Sequence, residues 1–220
     1  MNIKYEKHPR ISHVPWSKFS DKDDLFGDVD ALKNVEVVVL EKRDGENTTL
    51  YRDYHHARSI NSGYHLSRSK IAQLHGNISH QIPENIRICG ENLSAKHTIQ
   101  YHALRSIFEV FSMWQDDICL SWDETLKLAK QLNLSTVPEF YRGVYDEKLI
   151  RNINTDKMIG DKCEGYVIRP TSSFSRQDFQ SLVMKCRNIV IDANIHWMHS
   201  KIIWNCVSGF CNHNTIIQSR

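Results

Sequence analysis

Apolar positions along the chain follow two patterns. One is the short β-branched or aromatic run. Val35-Glu36-Val37-Val38-Val39-Leu40 is the clearest case and predicts a buried strand. Thr48-Thr49-Leu50-Tyr51 predicts a second strand, and Asp44-Gly45 between them predicts a hairpin or a tight loop. Further strands are predicted over His55 to Ser59, Ile86 to Cys89 (ending at Gly90-Glu91), Ser106 to Trp114, Val137 to Tyr141, Glu164 to Arg169 and Leu182 to Arg187. The other pattern is helical. From Ser67 to Ile78 the spacing puts Ile71, Leu74 and Ile78 on one side. Ser121 and Glu124 form a capping box, with Leu126, Leu128, Ala129 and Leu132 continuing the helix. Glu147 to Ile159 also reads as helical, the first thirty residues as an irregular lead-in with one short strand, and the chain from Asn194 on as ambiguous. The sum is an α+β domain with much antiparallel sheet and helices on its outside.

Composition narrows the class. With 40% hydrophobic and 25% charged residues over 220 positions, the chain has an ordinary globular balance and can bury a core without staples. Lys plus Arg number 28 against 26 Asp plus Glu, so the net charge of +2 excludes a histone-like binder and leaves room for a local basic patch. No apolar run is long enough to span a bilayer, and the first residues lack the apolar core of a signal peptide. A cytoplasmic protein without membrane contact is expected, its cysteines at 89, 119, 163, 186, 206 and 211 all reduced thiols. No repeat or linker interrupts the chain, which predicts one domain over 1–220.

Candidate chemistry begins at Lys42, which follows the apolar strand and is bracketed by Glu41 and Asp44-Gly45. A lysine at the mouth of a sheet is partly desolvated, which lowers its pKa and favours the neutral, nucleophilic amine. Alone, Lys-x-Asp-Gly reads as a solvated loop lysine, because patterns this short arise by chance. It does not stand alone. In order come Glu41-Lys42-Arg43-Asp44-Gly45-Glu46-Asn47, Ala57-Arg58-Ser59, Cys89-Gly90-Glu91-Asn92, Phe108 to Trp114, Glu164-Gly165-Tyr166-Val167-Ile168-Arg169 and Met184-Lys185-Cys186-Arg187.

These six ordered motifs resemble the covalent nucleotidyltransferase superfamily of ATP-dependent DNA and RNA ligases and mRNA capping enzymes. The stretch from Glu41 to Ser59, together with Cys119 to Thr125, Arg142-Gly143 and His196-Trp197-Met198-His199, is most similar to a branch of nick-sealing RNA ligases. The resemblance implies a ligase adenylation fold and a three-step reaction. Lys42 attacks the α-phosphorus of ATP and forms lysyl-AMP. AMP passes to a 5′-phosphate, and a 3′-OH then seals the break and releases AMP. Each step gathers negative charge, so fixed cations must face it.

The resemblance also implies roles. Lys185 and Arg187, alternating on one strand, hold the α-phosphate. Arg58, with Arg68 as runner-up, contacts phosphate. Glu91 accepts from the ribose hydroxyls. Phe111 stacks on adenine, while the backbone of Glu41 and Lys42 reads it. Glu164 organises Mg²⁺ or Mn²⁺ near the α-phosphate. Asp44 orients Lys42 or a metal-bound water, and Asn47 reaches ribose or the nick. The expected partner is an RNA or RNA/DNA duplex with a 5′-phosphate and 3′-OH break, held along a basic groove drawn from Arg52, Arg58, Arg68, Lys70 and Lys96. Relatives in that branch can carry an extra N-terminal OB module. The chain begins too close to Lys42 to hold one, so a partner protein supplying further nucleic-acid binding is envisaged.

Two alternatives stand beside this reading: a capping-type guanylyltransferase and a non-catalytic nucleic-acid end-binding module. A separate signal, Cys206, Cys211 and His213 near His196 and His199, offers soft ligands for zinc, against the reading of a reduced, partly buried tail.

Overall fold

The structure is a computed structural model, which describes residues 5–18, 25–153, 163–188 and 201–209. Its frame is two β-sheets. The first is five-stranded, with strands in the order β1 (Ser12–His13), β12 (Met184–Arg187), β10 (Gly165–Pro170), β2 (Glu36–Lys42) and β9 (Glu139–Val144). The second is seven-stranded, ordered β11 (Phe174–Ser175), β7 (Ile118–Cys119), β6 (Phe108–Gln115), β5 (Ile86–Asn92), β3 (Glu46–Leu50) and β4 (His55–Ala57), with β8 (Ser135–Thr136) beside β6. All pairings are antiparallel except β1 with β12 and β6 with β8. The expected α+β architecture, mostly antiparallel, is what forms.

β2 explains why its sequence is apolar without a break. Val37 and Val39 pack into one core with Val14, Leu32, Tyr166 and Met184. Val38 and Leu40 pack on the opposite side with Trp122 and Val137. A central strand buried on both faces has no need of polar alternation. Lys42 shares the parity of Val38 and Leu40, which turns it toward the space between the sheets.

Asp44-Gly45 makes the tight loop and no hairpin. β2 pairs with β9 and β10, while β3 pairs with β4 and β5, so the loop carries the chain from one sheet to the other. A hairpin would have kept both strands in one sheet; burial of β2 on both faces and the pins on Asp44 described below favour the crossing.

The helices are α1 (Ser69–Ile78), α2 (Trp122–Gln131), α3 (Glu147–Arg151) and α4 (Phe179–Leu182). α1 and α2 cover the outer face of the seven-stranded sheet, where Ile71, Ile78, Ala129 and Leu132 join Leu50, Ile88 and Phe108. The capping box at α2 forms as expected: Glu124 N–H donates to Ser121 Oγ at 3.2 Å, and Ser121 N–H to Glu124 Oε2 at 3.0 Å. Several boundaries differ. β5 runs on through Gly90 and Glu91, β9 is displaced to Glu139–Val144 because Pro138 cannot donate to the ladder, and Leu182 belongs to α4. The helix predicted over Glu147 to Ile159 is α3, and the remainder of that prediction past Ile153 falls outside the described residues. No helix among the described residues is long and apolar enough to cross a membrane.

Cysteine chemistry departs from expectation at one position. Cys89, Cys119, Cys163 and Cys186 are free thiols, whereas Cys206 is disulfide-bonded. Its sulfur is thereby spent and unavailable to zinc, and the other ligands considered there, Cys211, His213, His196 and His199, lie outside the described residues.

Behind β2, Arg43 joins two buried carboxylates. Its Nε donates to Glu109 Oε2 at 2.7 Å and its Nη1 to Glu41 Oε1 at 2.8 Å. Replacing Arg43 by Met leaves two carboxyls buried without their cation. We expect Arg43→Met to lose about 3–5 kcal/mol of unfolding free energy at neutral pH, and less in acid, where the carboxyls take up protons; urea unfolding at both pH values measures it.

Candidate active site

Between the sheets lies a cleft of about 370 Å³. Glu41, Lys42, Asn47, Arg58, Glu91, Phe111 and Lys185, all singled out in the sequence, line it. Three strands in register build the centre. Gly165 lies opposite Lys42 on one side and opposite Arg187 on the other. A methyl group at Gly165 would meet the Cys186 carbonyl oxygen at 1.9 Å, so only glycine lets the strands close there.

That closeness brings Lys42, Glu164 and Arg187 together. Lys42 Nζ donates to Glu164 Oε2 at 2.5 Å, and Arg187 Nε stands 3.6 Å from Glu164 Oε1. The Lys42 side chain is 24% exposed, that of Glu164 only 3%. The amine is therefore reachable from the cleft and its carboxylate partner is nearly sealed. Burial pulls the Lys42 ammonium toward release of its proton, but the charges of Glu164 and Glu91, the Glu164 hydrogen bond and Asp44 outweigh it. The Lys42 pKa is raised above the ordinary lysine value, which corrects the expectation that desolvation alone would lower it.

The other expected residues divide by position. Glu91 faces the cleft from β5, opposite Asn47 on β3. Its carboxyl is pushed up to about 8, by burial first; Lys42 and the Gly45 N–H oppose this, and Glu164 and Asp44 add to it. Asp44 stands behind the cleft. Its Oδ2 accepts from the N–H groups of Thr98 and Ile99 at 2.7 and 2.5 Å, and its own N–H donates to Tyr101 Oη at 3.0 Å. It pins the crossing loop and acts on Lys42 through its charge. In the backbone expected to read adenine, the Glu41 N–H donates to Pro138 O at 2.8 Å. The Glu41 carboxyl turns to Arg43 and is raised to about 7, by burial first and against the pull of Arg43.

Phe111 reaches the cleft through a β-bulge. Cys89 pairs with Ser112 and Gly90 with Val110, leaving Phe111 as the extra residue of β6. Phe111 and Ser112 therefore both line the cleft, while Phe108 and Trp114 are fully buried. Gly90 is required here, because a Cβ would meet the Phe108 ring at 2.4 Å. Of the two candidate arginines, Arg58 is exposed on the cleft wall and makes no ion pair among the described residues. Arg68 is tied to Glu46 through Nε at 2.8 Å and Nη2 at 2.5 Å, and to Gly63 O at 2.6 Å. Those bonds withdraw it from the runner-up role. In the expected groove, Arg52 stands 3.9 Å from Glu84, and Lys70 lies 4.7 Å over the Trp204 ring.

Sequence reasoning missed one wall altogether. His8, Pro9, Arg10 and Ile11, read as irregular lead-in, line the cleft. Pro9 breaks any periodicity there, so no local signal marked them. Arg169 also lines it, and its strand parity with Gly165 and Val167 was a signal that could have found it.

Among the described residues no group of three His, Cys, Asp or Glu could hold a metal alone. Glu164 and Glu91 offer oxygen donors on either side of Lys42. Such a set suits a hard cation that takes its remaining ligands from phosphate oxygens and water.

The family model described as RNA ligase matches residues 35–187. Among solved structures, the chain is similar to an archaeal ATP-dependent RNA ligase, with 17% identity over 84% of this chain and 48% of that one and a TM-score of 0.52. It is similar to a putative ATP-dependent DNA ligase from Aquifex aeolicus, with 18% identity, 83% and 50% coverage and a TM-score of 0.50. An RNA ligase of Naegleria gruberi solved with pyrophosphate matches at 18% identity, 84% and 61% coverage and a TM-score of 0.47. The likenesses to the archaeal and Aquifex structures show the nucleotidyltransferase-type ligase fold. The chain spans about half the length of the archaeal and Aquifex structures. No curated protein matches it.

The Glu91 carboxyl couples folding to pH. Between its ordinary pKa of 4.5 and about 8, the folded protein holds a proton that the unfolded chain has released. Stability is fully present below that window and falls as pH rises through it. We expect the melting temperature of the ligand-free protein to drop by a few degrees from pH 5 to pH 8, and Glu91→Gln to flatten that slope in calorimetric scans.

Proposed function

Because the chain belongs to the RNA ligase family, we propose that it is an ATP-dependent RNA ligase working through a covalent lysyl-AMP on Lys42. One observation carries this: an amine open to a cleft, 2.5 Å from a sealed carboxylate, with an aromatic ring on a bulge and a basic strand end on the same cleft walls.

The Lys42 ammonium must first lose a proton, and the hydrogen-bonded Glu164 is the acceptor in place. Nζ then bonds to the α-phosphorus of ATP as the bond from that phosphorus to the bridging oxygen breaks, and pyrophosphate leaves. Lys185, on the cleft wall, meets the charge gathered on the phosphate oxygens. Arg187, next to Glu164, holds that carboxylate in place and lends its charge from behind. Glu91 and Asn47 accept from and donate to ribose, and Phe111 stacks on the base for about 1–3 kcal/mol. Glu164 and Glu91 would hold Mg²⁺ or Mn²⁺, which supplies charge neutralisation at the phosphate when bound.

Arg58, exposed at the cleft and without an acidic partner among the described residues, suits the 5′-phosphate that takes up AMP. The proposed substrate is a 5′-phosphate beside a 3′-OH at a nick in an RNA or RNA/DNA duplex. Strand binding beyond the cleft would draw on Lys70 and Lys96, and on a partner protein.

Exposure to ATP and Mg²⁺ should leave an adduct of adenylate mass on the protein. Lys42→Ala should abolish it and keep the fold, at a lowered melting temperature because Glu164 loses its buried partner. Retention of the adduct in that variant overturns the nucleophile, and an adduct formed from GTP in preference to ATP favours the guanylyltransferase alternative. Duplex affinity should weaken steeply between low and high salt, as expected when a local basic stripe carries binding; filter-binding titrations at several salt concentrations measure the slope.

A further inference from the structure

The cleft wall away from Lys42 is aromatic and holds two polar side chains that the proposed reaction does not use. His8 lies edge-on to Phe111, with ring centroids 5.1 Å apart, and to Phe179 at 5.3 Å. Arg169 is 3% exposed, its guanidinium 5.2 Å from the Phe174 ring, and Phe174 and Phe179 are themselves 6.3 Å apart. Both residues line the cleft.

Their hydrogen bonds fix what each can offer. His8 Nδ1 lies 3.0 Å from Pro9 O, and a carbonyl only accepts, so Nδ1 carries the proton. Burial first, then the charge of Arg87, push the imidazole pKa down to about 3, and the ring is neutral at working pH. Nε2 therefore keeps a lone pair, and it makes no hydrogen bond among the described residues. Arg169 donates through Nη2 to Leu120 O at 2.6 Å and through Nε to Pro170 O at 3.1 Å. Its Nη1 is buried without a hydrogen-bond partner among the described residues. A buried guanidinium nitrogen without an acceptor is costly, and such a group calls for a partner.

We infer that His8 and Arg169 read the edge of the purine base, His8 Nε2 accepting from the amine at position 6 of adenine and Arg169 Nη1 donating to the neighbouring ring nitrogen. Adenine offers a donor beside an acceptor on either edge that carries this amine. Guanine has a carbonyl oxygen at position 6, which in the same orientation meets the His8 lone pair. The pair would thus exclude guanine by leaving two acceptors face to face. The inference rests on the reading of the cleft as a nucleotide site, and its test is separable from the covalent chemistry.

Equilibrium binding of AMP, GMP and purine riboside 5′-monophosphate, which lacks the position-6 group, should be measured on wild type, His8→Phe and Arg169→Lys. Wild type should prefer AMP over the unsubstituted purine by about fivefold, the value of one hydrogen bond. His8→Phe keeps a ring beside Phe111 and should abolish that preference. Arg169→Lys should weaken AMP and the unsubstituted purine alike, leaving their ratio intact, with thermal melts confirming that both variants fold. An unchanged AMP preference in His8→Phe overturns the assignment, as does wild type binding all three nucleotides equally. Absence of a covalent adduct from ATP in a protein that binds AMP selectively overturns the lysyl-AMP reading and supports the base-edge pair.

Discussion

The Lys42–Glu164 contact governs what the cleft can do. Two opposite charges 2.5 Å apart, with the acid 3% exposed, form a pair whose members cannot be separated cheaply. The mutual attraction of such a pair only about offsets the cost of taking both ions out of water, whereas removing one partner leaves a buried charge at a cost of several kcal/mol. The resting protein therefore holds its lysine as an ammonium, which the proposed attack on phosphorus would first have to deprotonate. Arg187 would ease that step. Standing 3.6 Å from the other oxygen of Glu164, it would keep a cation beside that carboxylate if the Lys42 amine turned to a substrate.

The same constraint explains the backbone around it. Lys42 and Arg187 come from the two strands flanking β10 and Glu164 directly precedes it, and they meet because Gly165 lies in register between the other two and has no side chain. Asp44 adds a second restraint. Two backbone N–H groups on its Oδ2 hold the crossing between sheets, so the residue after Arg43 both anchors the loop and contributes charge to Lys42. Arg43, held by Glu41 and Glu109, then fixes the end of β2 from the opposite side.

Much of this was legible in the sequence where function depends on residue type at fixed spacing. Lys42, Glu91 and Lys185 line one cleft, with Glu164 against Lys42 and Arg187 behind it, because strand parity carries side-chain direction and the strands are well marked by β-branched runs. What escaped depends on tertiary placement. The Asp44-Gly45 signal gives a tight turn and is silent on whether the next strand joins the same sheet. The bulge at Phe111 is written in the pairing of β5 with β6, not in the aromatic run itself. Arg58 and Arg68 look alike in sequence, and only the position of Glu46 separates them. His8 sits in a polar, proline-broken stretch whose path over the sheets is set by contacts such as that of its ring with Phe111.

The cleft is consequently asymmetric, and under the proposed function that asymmetry would orient a nucleotide before any chemistry. Near Lys42 the wall carries the Glu164 carboxylate and the Glu91 carboxyl, whose pKa Glu164 helps to raise, and a phosphate there would need cations beside it. The Phe111 wall is aromatic, with the Arg169 guanidinium set into it, and it favours a flat, neutral, polar-edged group. Base stacking on Phe111, worth about 1–3 kcal/mol, would operate without any charge compensation, whereas the phosphate end would gain only once a cation and Lys185 offset the carboxylate. In the proposed reaction, binding energy available at the base would hold the nucleotide while the phosphate end is rearranged, and the proton on Lys42 would be surrendered only in the complex where its loss is useful.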